Sequence, residues 1–567
     1  MPRGLNVEGL LARYLDFPGF IPGFVPGFVP GFVQRLKMLQ RLISSFGAAA
    51  LVCGTVAQAQ SSDACSTLAS SLSIENVTVN FAEFVPAGTN ITLSQNYNLS
   101  TCQRPSQVVY NDLCRVAMKV ATSNRSEITL EAWLPTNWTG RFLSTGNGGI
   151  SGCIQYEDMA YAASYGFATV GANNGHNGTS GIAFYQNDDV VADFVYRSLH
   201  TGVVVGKQVS EAYYGQTHNK SYYLGCSTGG RQGLKSVQDF PDDFDGVVAG
   251  APAAAFNNLT SWSGHFYTIL GNSSSPSFVP TSLWTVVHEE VLNQCDLLDG
   301  VADGIIEDPT LCQFRPEALQ CAPGNTTNCL TSAQVTSVRQ VLSGYYGVDG
   351  SLIYPRMQPG SELLAALIIY TSGAFPYTTD WFRYVIYNDP SWDPASLTVE
   401  DAAFASQKNI FNSQTWNGDL SAFQSKGGKL LHYHGQQDPI ISSDNSPRYY
   451  DHVSNTMSLP SSSLDDFYRF FRVSGMGHCS GGPGAWQIGQ TTLGAAGNPI
   501  EAQNNVLLAM VQWVEQGIAP ETVTGTKYVN DTVSLGVDFT RNHCKYPLRN
   551  TIKDASRYKE ADAWECL

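Results

Sequence analysis

"YLGCSTGGRQG", running from Tyr223 to Gly233, decides the fold. Within it Gly225-Cys226-Ser227-Thr228-Gly229 fits G-x-S-x-G, the pattern of a nucleophile elbow. An elbow is a sharp strand-to-helix turn that lifts a serine hydroxyl clear of a sheet edge. Backbone segments crowd there, so small flanking residues are needed, and Gly225 and Gly229 supply them. In a chain with 53 glycines the motif can arise by chance, so its surroundings carry the argument. The apolar run "SYYLG" enters the turn as a strand, and "GRQGLKSVQDFP" leaves it with the look of a helix.

Working outward, strand and helix signals alternate. "GRFLSTGNGG" (Gly140–Gly149) reads as a strand running into a glycine-rich loop, and "GFATVGANNG" (Gly166–Gly175) as a short buried strand. "DVVADFVYRSLHTGVVVGKQVSEAYYG" has apolar residues at helical spacing, and "DGVVAGAP" (Asp245–Pro252) reads as the next strand. This alternation predicts an α/β fold with a mostly parallel sheet covered on both faces. The rhythm breaks near Ala255 and returns at "GGKLLHYHG" (Gly427–Gly435), "FYRFFRVSG" (Phe467–Gly475) and the helical "NNVLLAMVQWVEQG". The expected architecture is one catalytic domain, 60–254 and 426–567, interrupted by an insertion at 255–425 that caps the site as a lid.

The chain has 567 residues, a length suited to one large domain with an insertion or to two domains. It is 43% hydrophobic and 14% charged, which is a globular composition. Its net charge of -16 and the lack of a basic run argue against nucleic acid and anionic membranes as partners. From Met38, Arg41 precedes an apolar stretch that ends in Ala57-Gln58-Ala59, so 38–59 reads as a secretory signal peptide too short to span a membrane. Residues 1–37, with the repeat "FPGFIPGFVPGFVPGFV", read as an unusual leader or a misassigned start. Of 13 cysteines, Cys53 lies in the signal, and the twelve that remain can form six disulfides. Eleven N-x-S/T sequons follow the signal, at Asn76, Asn90, Asn98, Asn124, Asn137, Asn177, Asn219, Asn258, Asn272, Asn325 and Asn530. Together these features predict a secreted, extracellular glycoprotein.

A serine hydroxyl is a weak nucleophile until a histidine, itself held by a carboxylate, takes its proton. After an elbow serine the acid and then the histidine are expected on later loops. "KLLHYHGQQDPIIS" puts Asp438 just past a strand, closer to it than the rival Asp444. "RVSGMGHCSGG" puts His478 in a glycine-rich loop after the next strand. His432 and His434 fall within or at the end of a strand and read as structural. Cys226 precedes Ser227 and Cys479 follows His478. If serine and histidine meet, so do the cysteines, and a Cys226–Cys479 disulfide would tie nucleophile to base.

The Cys-Ser…Asp…His-Cys arrangement resembles the fungal tannase and feruloyl esterase family. "GRFLSTGNGG", "FATVGANNGH", "YLGCSTGGRQG", "QCDLLDGVADGIIEDP", "HGQQDPIIS" and "SGMGHC" carry the likeness over essentially the whole chain after residue 60. Their detail is most similar to the B-type feruloyl esterases. The resemblance implies an α/β-hydrolase domain with a lid and catalytic Ser227, Asp438 and His478. The oxyanion hole is expected from the Thr228 amide and from Gly149 or Gly148 in "GNGG". "CDLLDGVADGIIED" clusters carboxylates, which on spacing alone fit a solvated loop as well as a cation site. The resemblance implies structural Ca²⁺ on Asp296, Asp299 and Asp303 with the carbonyls of Val301 and Ile305, and Cys295 paired with Cys312. The remaining cysteines, Cys65, Cys102, Cys114, Cys153, Cys321, Cys329, Cys544 and Cys566, are expected in disulfides of unassigned pairing. The implied activity is hydrolysis of hydroxycinnamoyl esters (feruloyl, p-coumaroyl or caffeoyl) of plant cell-wall polysaccharides. The substrate partners are then small phenolic esters and feruloylated polysaccharide, with no preference set among acyl groups and no oligomeric state. A tannase acting on galloyl esters is the alternative. A non-catalytic calcium- or carbohydrate-binding protein is a remote one, since it leaves the cysteine–serine and histidine–cysteine adjacencies unexplained.

Overall fold

Nine strands form the central sheet of the computed structural model, which describes residues 62–490 and 501–567. The expected leader and signal, 1–37 and 38–59, lie outside the described residues. In chain order the strands are β1 (Val77–Val85), β2 (Leu113–Ala121), β3 (Glu127–Pro135), β4 (Arg141–Thr145), β5 (Phe167–Ala172), β6 (Lys220–Cys226), β7 (Gly246–Gly250), β8 (Lys429–Gly435) and β9 (Tyr468–Val473). Their spatial order is β1-β2-β3-β5-β4-β6-β7-β8-β9. From β5 to β9 all pairings are parallel, whereas β1, β2 and β3 extend the sheet antiparallel.

The parallel strands are apolar on both faces, and consecutive residues feed two different cores. Tyr223, Val247 and Leu430 join a core that includes Val203 and Val209 of helix α1 (Ser198–Tyr214). Their neighbours Leu224, Val248 and Leu431 join another with residues of a C-terminal helix, Val506–Gln516. The predicted long helix over 188–214 forms, with a π-turn at Asp193–Arg197. There the buried Asp193 pairs with Arg197 at 2.6 Å and accepts from the Thr122 hydroxyl at 2.8 Å.

Register positions the site. Cys226 pairs with Gly250, Gly250 with Tyr433, and Gly435 with Val473. The carboxyl ends of β6, β7, β8 and β9 therefore finish along one edge, where open α/β sheets place their ligands. Helix α2 (Thr228–Asp239) leaves β6 directly through Ser227. Between Gly250 and Lys429 the chain adds no strand to this sheet. It carries α3 (Phe256–Leu270) and α4 (Thr281–Cys295), and most of a separate apolar core built around Trp262, Trp284 and Trp381. Helix α5 (Asn445–Met457) follows β8.

The twelve cysteines of the described residues form six disulfides. They pair as Cys65–Cys114, Cys102–Cys153, Cys226–Cys479, Cys295–Cys312, Cys321–Cys329 and Cys544–Cys566. No helix among the described residues is long and apolar enough to cross a membrane.

Candidate active site

Ser227 sits at φ +66°, ψ −123°, a backbone region that non-glycine residues rarely occupy. Three backbone hydrogen bonds hold it there. Its N–H donates to Gly250 O, and its carbonyl accepts from Arg231 N and Ala253 N, each at 3.0 Å. Crowding explains the motif glycine, because a Cβ on Gly225 would lie 2.9 Å from the carbonyl carbon of Gly229. Thr228 is the first residue of α2, so its N–H has no intrahelical acceptor and points with the helix's positive end.

Asp438 lies just past β8 and is fully buried. Its Oδ1 accepts from Ile440 N at 2.8 Å and Ile441 N at 2.9 Å. Its Oδ2 accepts from His478 Nδ1 at 2.7 Å and His434 Nε2 at 3.1 Å. Burial alone would push this carboxyl up. The His478 charge and the hydrogen bonds from His434 and His478 outweigh burial and hold it well below the usual carboxylate range. His478 lies in the loop after β9, and the disulfide from Cys479 to Cys226, with Cα atoms 6.0 Å apart, fixes that loop beside the elbow.

Ser227 and His478 line one cavity of about 490 Å³ with Gly148 and Gly149. No Ser227–His478 hydrogen bond forms among the described residues; in free enzymes such contacts are often long and tighten on the substrate. Gly149 has φ +56°, and a Cβ there would meet the Tyr377 hydroxyl at 2.5 Å. The Thr228 hydroxyl donates to Gly149 O at 2.5 Å, tying the glycine-rich loop to the elbow. The cavity has two characters. One wall is polar, with Arg104 and Glu157 paired at 2.6 Å and Gln155 beside them. On the other side of Ser227 a slot runs under α3, lined mostly by apolar residues such as Ile150, Phe256, Leu259, Phe375 and Ile441, with the hydroxyls of Thr260, Ser263 and Tyr377 and no charged side chain. A larger cavity, about 650 Å³, is lined by Ser123, Ser126, Glu127 and His176, but both ring nitrogens of His176 are taken by the carbonyls of Asn174 and Ile150, so no serine–histidine–carboxylate relay forms there.

The sequence reading missed His434. It belongs to a buried chain of hydrogen bonds from Tyr468 OH through His432 (2.9 Å), Ser446 Oγ (2.8 Å) and His434 (2.6 Å) to Asp438. One proton assignment satisfies every link: each group donates toward Asp438, and both histidines are neutral. Burial, aided by the neighbouring His434, holds His432 well below the ordinary histidine value, in keeping with that assignment. The i, i+4 spacing of His434 and Asp438 was the available signal. The rival acid Asp444 makes no hydrogen bond with His478 among the described residues, and burial raises its carboxyl.

The acidic loop after α4 is stapled by Cys295–Cys312. Its carboxylates are partly spent on the loop itself: Asp296 accepts from Gly304 N, Asp299 Oδ1 from Val301 N, and Asp303 Oδ1 from Ile305 N. Asp303 Oδ2 pairs with Arg541 at 2.9 Å. Asp299 Oδ2 is buried without any partner. Burial, with Glu307 and Asp303 nearby, pushes that carboxyl up to about 7. No group of three or more His, Cys, Asp or Glu side chains converges in metal-binding geometry among the described residues.

Residues 114–567 match the family model described as tannase and feruloyl esterase. The chain is 58% identical over 504 residues to an Aspergillus terreus protein named as a feruloyl esterase B-2, covering 89% of this chain and 95% of the relative. The crystal structure of feruloyl esterase B from Aspergillus oryzae superposes with a TM-score of 0.86 at 54% identity, over 89% of this chain and all of that one. The tannin acyl hydrolase of Aspergillus niger, at 22% identity and a TM-score of 0.72 over 90% of this chain and 95% of that one, shares the fold.

Proposed function

This chain belongs to the tannase and feruloyl esterase family, and on that premise we propose that it is a secreted carboxylic ester hydrolase acting on feruloyl and related hydroxycinnamoyl esters. One observation carries the reading: the buried Asp438–His478 pair opens on the same cavity as Ser227, with an apolar slot on one side and a polar wall on the other. Ser227 Oγ attacks the ester carbonyl while His478 Nε2 takes its proton. Asp438 holds the ring by Nδ1 and stabilises the imidazolium. The oxyanion is received by the Thr228 N–H and by Gly149 or Gly148 across the cavity. Collapse breaks the ester C–O bond, and His478 returns the proton to the leaving alcohol. Water, deprotonated by His478, then hydrolyses the acyl-Ser227 ester and releases the acid.

The slot favours feruloyl over galloyl esters. A ferulate ring buries an apolar face with one phenol, whereas gallate brings three hydroxyls against mostly apolar walls, whose Thr260 and Ser263 hydroxyls already donate to Asn257 O and Leu259 O. Each buried hydroxyl left unpaired costs about 1–3 kcal/mol. The polar wall suits a carbohydrate alcohol. Rates on methyl ferulate and methyl gallate test the reading, with ferulate preferred by at least about fivefold if even one hydroxyl is unpaired. A preference for gallate would make the protein a tannase.

Structural Ca²⁺ remains part of the proposal. The unpartnered, buried Asp299 Oδ2 is a free oxygen that a hard cation would ligate, holding ionised a carboxyl that burial otherwise pushes toward its neutral form. Asp296, Asp303 and the Val301 and Ile305 carbonyls would complete its oxygen shell, far from the chemistry in sequence. Secretion and glycosylation rest on the six disulfides and on exposed sequon asparagines. Asn98 and Asn258 are exceptions, half-buried and donating their side-chain amides to Arg104 O at 2.6 Å and Ile353 O at 3.1 Å.

A further inference from the structure

Behind the first turn of α3 lies a second cavity, of about 460 Å³. Phe256 and Leu259 of that turn face the slot beside Ser227, while Ala255 and Asn258 face the second cavity. Its other walls come from the loop 409–417 and from Arg448 of α5. The loop is strained. Asn409, Phe411, Asn412 and Thr415 hold φ of +29°, +52°, +55° and +51°. Asparagine tolerates this region, but a bulky Phe and a β-branched Thr adopt it only under backbone strain. Lys235 Nζ helps hold the shape by donating to Phe411 O at 3.4 Å and Asn412 O at 3.1 Å.

The hydrogen-bond accounting is one-sided. Asn258 Oδ1 already accepts from Gln414 Nε2, and Gln414 Oε1 from Asn257 N, both at 2.9 Å. Asn409 Oδ1 accepts from Gln414 N at 2.9 Å, Asn412 Oδ1 from Asn409 Nδ2 at 3.3 Å, and Asn417 Oδ1 from Asp419 N at 3.1 Å. The side-chain nitrogens of Asn412 and Asn417 donate to nothing among the described residues. Arg448 is half-buried, with its guanidinium 5.8 Å above the Trp416 ring. It spends one N–H on Asn445 Oδ1 at 3.3 Å, and no carboxylate lies within ion-pair distance of it among the described residues. In a chain of net charge -16, this cavity presents free N–H donors, an unpaired cation and an indole.

We propose that this cavity binds the carboxylate of an acidic saccharide, a uronic acid unit on the polysaccharide whose ester is cleaved next door. The proposal rests on the esterase reading for why such a chain is near. The guanidinium takes the carboxylate in a two-point contact, held in place over the Trp416 ring, and the amide nitrogens of Asn412 and Asn417 take sugar oxygens. The first turn of α3 separates the two cavities, its successive residues lining one and then the other.

The test is calorimetric titration of the full chain with a xylo-oligosaccharide carrying one glucuronic acid and no ferulate, beside the neutral oligomer of equal length. The acidic oligomer is expected to bind at least about tenfold more tightly than the neutral one, and Arg448→Gln to remove that difference. Asn417→Ala, an exposed change safe for folding, is expected to weaken binding about threefold or more. Both variants should keep wild-type kcat/KM on methyl ferulate. Equal affinity for the two oligomers, or affinity unchanged in both variants, overturns the proposal. Intact methyl ferulate hydrolysis without oligomer binding strikes this site alone, whereas oligomer binding lost with Arg448→Gln in a protein that cannot cleave methyl ferulate supports the site and strikes the esterase reading.

Discussion

Replacing Cys226 and Cys479 together by Ala removes the bridge that joins the elbow to the histidine loop, and its effect can be worked from the chain. The bridge spans a sequence separation of 253. In the chain-entropy model, closing a loop of that length lowers the entropy of the unfolded chain by about 19 cal/mol/K, or about 5.5 kcal/mol at 25 °C. Cys295–Cys312 and Cys321–Cys329 lie inside the loop and shorten it by 17 and 8 residues, which scarcely moves a logarithm. Measured values commonly fall below the model, so the expected loss is about 3–5 kcal/mol. The loss is read from urea unfolding without reductant, each variant with its own slope. A second effect belongs to the native state. His478 sits in a loop held beside Ser227 by this bridge, and a displacement of about 1 Å can cost on the order of a hundredfold in rate. The double variant should therefore lose kcat on methyl ferulate at temperatures where it is still folded. A stability loss under about 1 kcal/mol together with an unchanged kcat would refute both the entropic and the positional reasoning.

Other perturbations separate the remaining roles. Asp438→Asn should cut kcat by several orders of magnitude, about 10⁴-fold where a triad acid has been so replaced. Because the folded Asp438 carboxyl is held below its unfolded value of about 4, its stabilisation is present above that pH and lost as pH falls through the lower folded value. The stability gap between wild type and Asp438→Asn should thus narrow in urea titrations taken below about pH 4. His434→Ala should cost about 1.5–3 kcal/mol, the worth of a hydrogen bond to a charged group, and reduce kcat less than Asp438→Asn does. Chelation of Ca²⁺ should lower Tm more than kcat, and Asp299→Asn should shrink that Tm shift. An unchanged melting curve after metal analysis shows the ion removed would exclude the cation site.

Much of the site was legible because its signals are local. The elbow glycines, Asp438 past a strand and His478 beside a cysteine are all short patterns, and the cysteine adjacencies supplied the one long-range link. His434 was not legible as a partner of the acid. In "LLHYHG" it alternates with His432 as strand residues do, and only the packing of β8 against Ser446 of α5 and the loop to Asp438 shows what it touches. The antiparallel strands escaped for a related reason. β1 is an edge strand with little burial contrast along "VTVNFAEFV", and β2 hides its pattern by burying Arg115, which pairs with Glu131 of β3 at 2.8 Å. The donor-rich cavity by Arg448 is invisible locally, because its walls come from α3, the loop 409–417 and α5. The carboxylates of the acidic loop were legible as a cluster, but not their division between loop amides, Arg541 and the unpartnered Asp299 Oδ2.

The central claim is that Ser227 is the nucleophile. Its most direct test is reaction of the protein with an aryl phosphonate, followed by intact mass and peptide mapping. The account predicts one phosphonyl group per chain, carried on the peptide that contains Ser227 and disulfide-linked to the His478 peptide, with activity lost in step and no adduct in Ser227→Ala. An adduct on another residue, or hydrolysis of methyl ferulate that survives in Ser227→Ala within about tenfold of the parent, would contradict it.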